Sequence, residues 1–200
     1  MEKLLEVIRH CNRCRSHLPG EPKPVLAASK TSKICIVGQA PGLKVHESGI
    51  PWKDRSGGNL RNWLGISEKV FYDTRKIAII PMGFCYPGKG LNSDLPPRPE
   101  CAPEWHHLLF RNMPDLQLTL LLGWYAQRFY LNGSKENSLT ETVKNHRNYL
   151  PEYIPMPHPS PRNRFWLVKN PWFERTLLPE LRFRIKTILE GIEDADKNNT

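Results

Sequence analysis

The 200-residue sequence contains no run approaching the roughly 18 consecutive apolar residues that a membrane-spanning helix needs, so no membrane association is expected. Its first residues, "MEKLLEVIRHCNRC", lack the unbroken apolar core of a secretory signal. They open with an acid and set Leu4, Leu5, Ile8 and Cys11 at helical spacing, the pattern of an amphipathic helix. A cytoplasmic protein is therefore expected. In that reducing compartment the five cysteines are not expected to form disulfides, which leaves burial, metal binding or catalysis to account for them. Internal repeats are absent. Acidic residues are in short supply, 20 against 29 lysines and arginines, and the resulting net charge of +9 points toward a polyanionic partner. The glycine-rich stretches carry neither GxGxxG spacing nor a P-loop lysine, which argues against a metabolic enzyme that holds a nucleotide phosphate.

Four short apolar runs are present, at 33–37, 76–80, 116–122 and 153–156. Runs this short, apolar on both faces and separated by helical patterns, describe a parallel sheet covered by helices. "GGNLRNWLGI", "CAPEWHHLLFRN" and "WYAQRFYL" supply the intervening helices. "FERTLLPELRFRIKTILEGI" closes the chain with Leu178, Leu181, Ile185 and Ile188 on one side. Residues 132–148 are polar and aperiodic and read as a surface loop or a poorly ordered helix. The expected architecture is a three-layer α/β/α sandwich on about four parallel strands, one domain over 1–192 with a frayed polar tail at 193–200. The crevice of such a sheet lies beyond the strand C-termini, where "GQAPG" (38–42), "PMGFCYPG" and "HPSPRN" (158–163) all fall.

Each motif has a chemistry. The tight turn at Gln39, Ala40, Pro41 and Gly42 brings backbone N–H groups close to whatever lies above the sheet. Gly49 and Pro51 present Trp52, either as a face on which a base stacks or as a lid on the core. In "HPSPRN", two prolines pin a loop in which His158 and Ser160 offer hydrogen bonds. Arg162 and Asn163 can reach phosphate or a DNA groove. Cys11 and Cys14 have the two-residue separation that lets thiolates share one centre, and Cys85 and Cys101 flank "YPGKGLNSDLPPRPE". Spacing alone leaves iron–sulfur and structural zinc both open for these four. Cys35, inside the first strand, reads as a small buried hydrophobe.

"GQAPG…SGIPW" followed by "HPSPRN…W" resembles the two signature motifs of the uracil-DNA glycosylase superfamily, over nearly the whole chain. The second motif is most similar to the single-strand-selective monofunctional branch, and the cysteine layout to the iron–sulfur branches. The resemblance implies a monomeric DNA glycosylase that flips a damaged or deaminated base out of DNA and hydrolyses its bond to the sugar, without strand cleavage. It implies catalytic roles for Gln39 and His158, and a base pocket of Ala40, Pro41, Gly42 and Trp52. It further implies DNA contacts from Ser160, Pro161, Arg162 and Asn163, and a 4Fe-4S cluster on Cys11, Cys14, Cys85 and Cys101. Two departures stand out. Gln39 occupies a position where iron–sulfur branches carry a carboxylate, leaving Asp54, His46 and Glu47 as nearby substitutes. Pro81 and Met82 stand where relatives place an asparagine that reads the pyrimidine edge. The alternative that these departures favour is an iron–sulfur protein that binds damaged DNA without cutting it.

Overall fold

The computed structural model describes residues 1–133 and 136–197, with side chains as far as Gly191. Four parallel strands, β1 (Ile34–Val37), β2 (Ile77–Ile79), β3 (Leu118–Leu122) and β4 (Tyr153–Met156), lie in the order β2-β1-β3-β4. Each falls within an expected apolar run. Pro155 is tolerated in β4 because that strand is an edge, where a missing N–H breaks no inner ladder.

Alternation along the strands sorts the core into two layers. Ile34, Ile36, Ile77, Ile79, Leu118 and Leu120 face one side, where Leu60 and Leu64 of the helix Arg55–Leu64 and Leu181 and Ile185 of the closing helix Leu178–Lys197 cover them. Cys35, Val37, Ala78, Ile80 and Leu121 face the other, under Leu5 and Ile8 of the first helix (Glu2–Arg9), Leu109 and Ala126. Crossover handedness accounts for this division. The chain steps from β1 outward to β2 and then back across β1 to β3, so right-handed connections must lie on opposite faces of the sheet. The reversal leaves a crevice between β1 and β3 at their C-terminal ends.

Three local readings change. The first helix ends at Arg9, so Cys11 lies past it in the following turn. Residues 139–144 form a helix (Leu139–Lys144) capped by Ser138, whose hydroxyl accepts from Glu141 N–H at 3.1 Å. It buries Thr142 and Val143, so the segment is anchored to the core, although only two of its residues are apolar. The closing helix extends to Lys197, and the remainder of the expected tail, 198–200, lies outside the described residues.

Candidate active site

A cleft of about 540 Å³ opens over the C-terminal ends of the strands. Gln39, Ala40, Pro41 and Gly42 after β1 line it, with Trp52 and Asp54, Pro81 after β2, and His158, Ser160, Arg162 and Asn163 after β4. Of the expected cleft residues only Pro161 does not line it. The turn after β1 is fixed by the chain leaving β2: Met82 N–H donates to Gly38 O and Gly83 N–H to Gln39 O, each at 2.9 Å. Those two donors are thereby consumed. Met82 itself is buried in the second core layer, and Pro81 offers the cleft an apolar ring.

Trp52 is held in an unusual backbone state. Its φ of 57° is left-handed, a region that bulky side chains rarely enter without external support. The support is visible on three sides. Tyr72 Oη–H donates to the neighbouring Pro51 carbonyl at 2.9 Å, Gly57 lies directly beneath the Trp52 carbonyl, and the indole lies against Gly38. A Cβ on Gly57 would stand 1.7 Å from Trp52 O, and one on Gly38 would stand 2.7 Å from Trp52 Cζ2. The half-buried indole also packs on the core, as the core-lid reading expects. Its ring centroid lies 5.6 Å from that of His158.

The loop after β4 is braced by its own polar groups. Asn163 Nδ2 donates to His158 O at 2.6 Å, Asn59 Nδ2 from the helix Arg55–Leu64 donates to Pro159 O at 3.0 Å, and Ser160 Oγ accepts from Arg162 N–H. Arg162 is exposed and its guanidinium donates to Asn92 O at 3.1 Å. Burial holds His158 below the ordinary histidine range, opposed by the Asp54 carboxylate nearby. The imidazole is therefore neutral at pH 7, and a neutral ring can donate a hydrogen bond to a developing anion without being deprotonated.

Asp54 caps the helix that follows it, its Oδ1 accepting from Gly57 N–H at 2.8 Å, and it lines the cleft. Of the three nearby substitutes for a motif carboxylate, only Asp54 does so: His46 packs on Tyr86 and Glu47 is exposed outside the cleft. Sequence reasoning missed Ser93, Asp94 and Leu95, which line the cleft from the loop between Cys85 and Cys101. A family model described as the Uracil DNA glycosylase superfamily matches residues 26–182, a span that includes every cleft residue named above. The chain belongs to this superfamily. The matched span covers the sheet and the loops at its C-terminal edge, and family membership points to base-excision chemistry on DNA.

Cys11 and Cys14 precede the part of the chain that matches the superfamily. They line one small pocket with Cys85 and Cys101, next to Phe84 and Arg98. Burial pushes the Cys85 thiol up to about 11 and Cys101 up to about 12, with the neighbouring cysteine sulfurs adding in the same sense. Burial also raises Cys14, while a hydrogen bond and the charge of Arg98 act against the rise. Among the described residues, no three cysteine, histidine or acidic side chains stand close enough together to hold a metal ion. The donor set, four sulfurs on one apolar pocket, nevertheless has the composition of a thiolate-held centre.

Proposed function

We propose that this protein is a monofunctional DNA glycosylase that excises uracil or another deaminated or damaged base, acting as a cytoplasmic monomer in base-excision repair. The supporting observation is the single cleft in which the turn 38–42, the constrained Trp52 and a neutral His158 face one another. A flipped nucleotide stacks its base on Trp52 above that turn. As the bond between base and sugar breaks, its electron pair leaves with the base, and His158 donates a hydrogen bond to the base oxygen where negative charge collects. Gln39 orients a water molecule that adds to the electron-poor sugar carbon. Its amide cannot take a proton, so the water's proton passes to the Asp54 carboxylate. The motifs place no lysine for a covalent imine, and the product is an intact strand with an abasic site.

Cys11, Cys14, Cys85 and Cys101 would hold a 4Fe-4S cluster, or a zinc ion on the same thiolates, tying the first helix to the loop beside the cleft. The centre is architectural in this reading, and no step of base release runs through it.

Pro81 and Met82 offer no amide side chain to read uracil, so the lesion is identified by a panel. Oligonucleotides carrying uracil, hypoxanthine, xanthine or hydroxymethyluracil, single- and double-stranded, are assayed for base release with wild-type protein and His158→Ala. Release of one base, abolished by the substitution, is the expected result. Binding to lesion DNA with no release from any substrate would overturn the glycosylase in favour of the second reading, a non-catalytic lesion-binding protein, which Gln39 in motif 1 favours.

A further inference from the structure

Pro81 and Met82 leave the pocket without the amide that would read a pyrimidine edge, yet the two ends of the turn 38–42 have different neighbours. At one end the Trp52 indole lies against Gly38. At the other stands a carboxylate: Asp94 lines the cleft, and its Oδ2 would be 3.4 Å from a Cβ on Gly42. A base stacked on Trp52 and lying along the turn presents an edge to Asp94.

Asp94 is held in place by backbone and side chain together. It belongs to a tight hairpin, residues 88–95, in which Gly90 N–H donates to Ser93 O at 2.7 Å and Leu95 N–H to Gly88 O at 2.8 Å. Across that hairpin it pairs with Lys89 as an antiparallel bridge, and the Arg162 guanidinium fastens the hairpin to the loop after β4 through Asn92 O. The Tyr86 phenol is hydrogen-bonded to the Asp94 carboxylate, and its ring packs on His46 with centroids 5.9 Å apart. Desolvation, and then the charge of Asp94, raise the Tyr86 phenol above its ordinary range, so it stays protonated and donates.

A carboxylate only accepts hydrogen bonds. Uracil N3–H lies between the carbonyls O2 and O4, and xanthine N1–H between O2 and O6. A carboxylate accepting from either N–H meets a carbonyl oxygen on each side, acceptor against acceptor. In hypoxanthine, N1–H has a carbonyl on one side and C2–H on the other. Asp94 can accept from N1–H while leaning toward C2, and O6 is left for His158. Guanine adds an amine at C2 and offers a similar edge, but its pairing with cytosine keeps it in the stack. Hypoxanthine opposite thymine is a mismatch and flips at lower cost.

We propose that Asp94, positioned by Tyr86, reads the edge of the flipped base and selects a 6-oxopurine with no oxygen at C2, which among deaminated bases is hypoxanthine. This role rests on the glycosylase reading, whose substrate it narrows.

The test measures base release from mispaired duplexes carrying hypoxanthine, uracil or xanthine, together with competition binding of the same duplexes. Wild type should release hypoxanthine on the order of tenfold faster than the other two, the scale expected when acceptors on a base edge are left unpaired. Asp94→Asn turns one acceptor into an N–H donor that suits O4 of uracil. Uracil release should therefore rise, and the ratio should fall toward one while hypoxanthine is still released. Tyr86→Phe keeps the ring against His46 and loses only the hydroxyl, so it should lower the ratio part of the way. If wild type releases uracil or xanthine as fast as hypoxanthine, or if Asp94→Asn leaves the ratio unchanged, the role of Asp94 is overturned while the glycosylase stands. If no base is released from any duplex, the glycosylase reading is overturned and the binding competition decides Asp94: a hypoxanthine preference that Asp94→Asn removes supports its role, and equal binding overturns it. Asp94 is exposed, so its replacement leaves the fold in place, and a thermal melt equal to wild type verifies this.

Discussion

Gly57 and Gly38 decide where Trp52 stands. No side chain fits between Gly57 and the Trp52 carbonyl, where a Cβ would approach to 1.7 Å, and the clash is with backbone, which cannot rotate away. Gly57→Ala is therefore expected to cost about 3 kcal/mol or more of stability and to abolish base release, read as a lower urea midpoint and lost activity. Gly38→Ala meets only the edge of the indole, at 2.7 Å, so the ring moves instead of the fold. Its expected signature is a near-normal melt with weakened binding of lesion DNA and altered tryptophan fluorescence. A Gly38→Ala variant indistinguishable from wild type in lesion binding would remove Trp52 from the base pocket. The motif glycines were legible in the sequence as tight-turn residues. That one glycine serves a carbonyl and the other an indole was not, because each contact is made across a loop whose path depends on Tyr72 and its bond to Pro51.

Where the helical segment from Ala102 to Arg111 packs against β2 and the helix Trp124–Tyr130, a buried polar chain holds the layers together. Pro81 O can only accept, so at 3.1 Å it accepts a hydrogen bond from His106 Nε2–H. His106 Nδ1 then accepts from Tyr130 Oη–H at 2.6 Å. Burial keeps the Tyr130 phenol protonated far above the usual range and pushes His106 down to about 4. The unfolded chain thus binds a proton near pH 6.5 that the folded chain refuses until about pH 4, so stability falls as pH drops through that window. The loss amounts to about 3 kcal/mol for His106 alone, and neutral His158 acts in the same sense. Thermal melts at pH 7 and pH 4.5 should show a large drop for wild type. His106→Gln, which keeps a donor for Pro81 O, should make it smaller, leaving the part that His158 contributes; an unchanged pH dependence would mean that His106 is protonated as readily in the fold as in the unfolded chain. At this scale the sequence was most informative where apolar residues form unbroken runs or a long period: all four strands fall in such runs and the closing helix follows apolar spacing. It left Leu139–Lys144 between a surface loop and a poorly ordered helix, where Val143 is the one fully buried apolar side chain, and it was silent on Leu43–Ser48, which buries only Val45. A helix of six residues with one anchor has no period to detect. The hairpin 88–95 was illegible for another reason: its turn is made by backbone bonds, and its place beside the cleft is fixed by Arg162, far along the chain.

Across the whole molecule the sequence carries an excess of nine positive charges, whereas the ionisable lining of the cleft mixes Asp54 and Asp94 with Arg162 and a neutral histidine. On the proposed function, attraction to the DNA backbone and chemistry on the base fall to different residues, and they should separate experimentally. Phosphate contacts release counterions, so the logarithm of the binding constant falls linearly with that of salt, at about −0.9 per phosphate neutralised. With about five phosphates engaged, affinity for duplex should drop several-hundred-fold between about 50 and 200 mM salt. Lesion-free and lesion-containing duplexes should share this slope and differ only in offset, since the proposed function sets the flipped base against an uncharged surface of Trp52, Pro81 and neutral His158. His158→Ala should keep the slope while losing base release, whereas Arg162→Ala should make it shallower by about one phosphate. A slope near zero for wild type would mean that the positive charge faces away from DNA, and lesion recognition would then depend on the cleft alone.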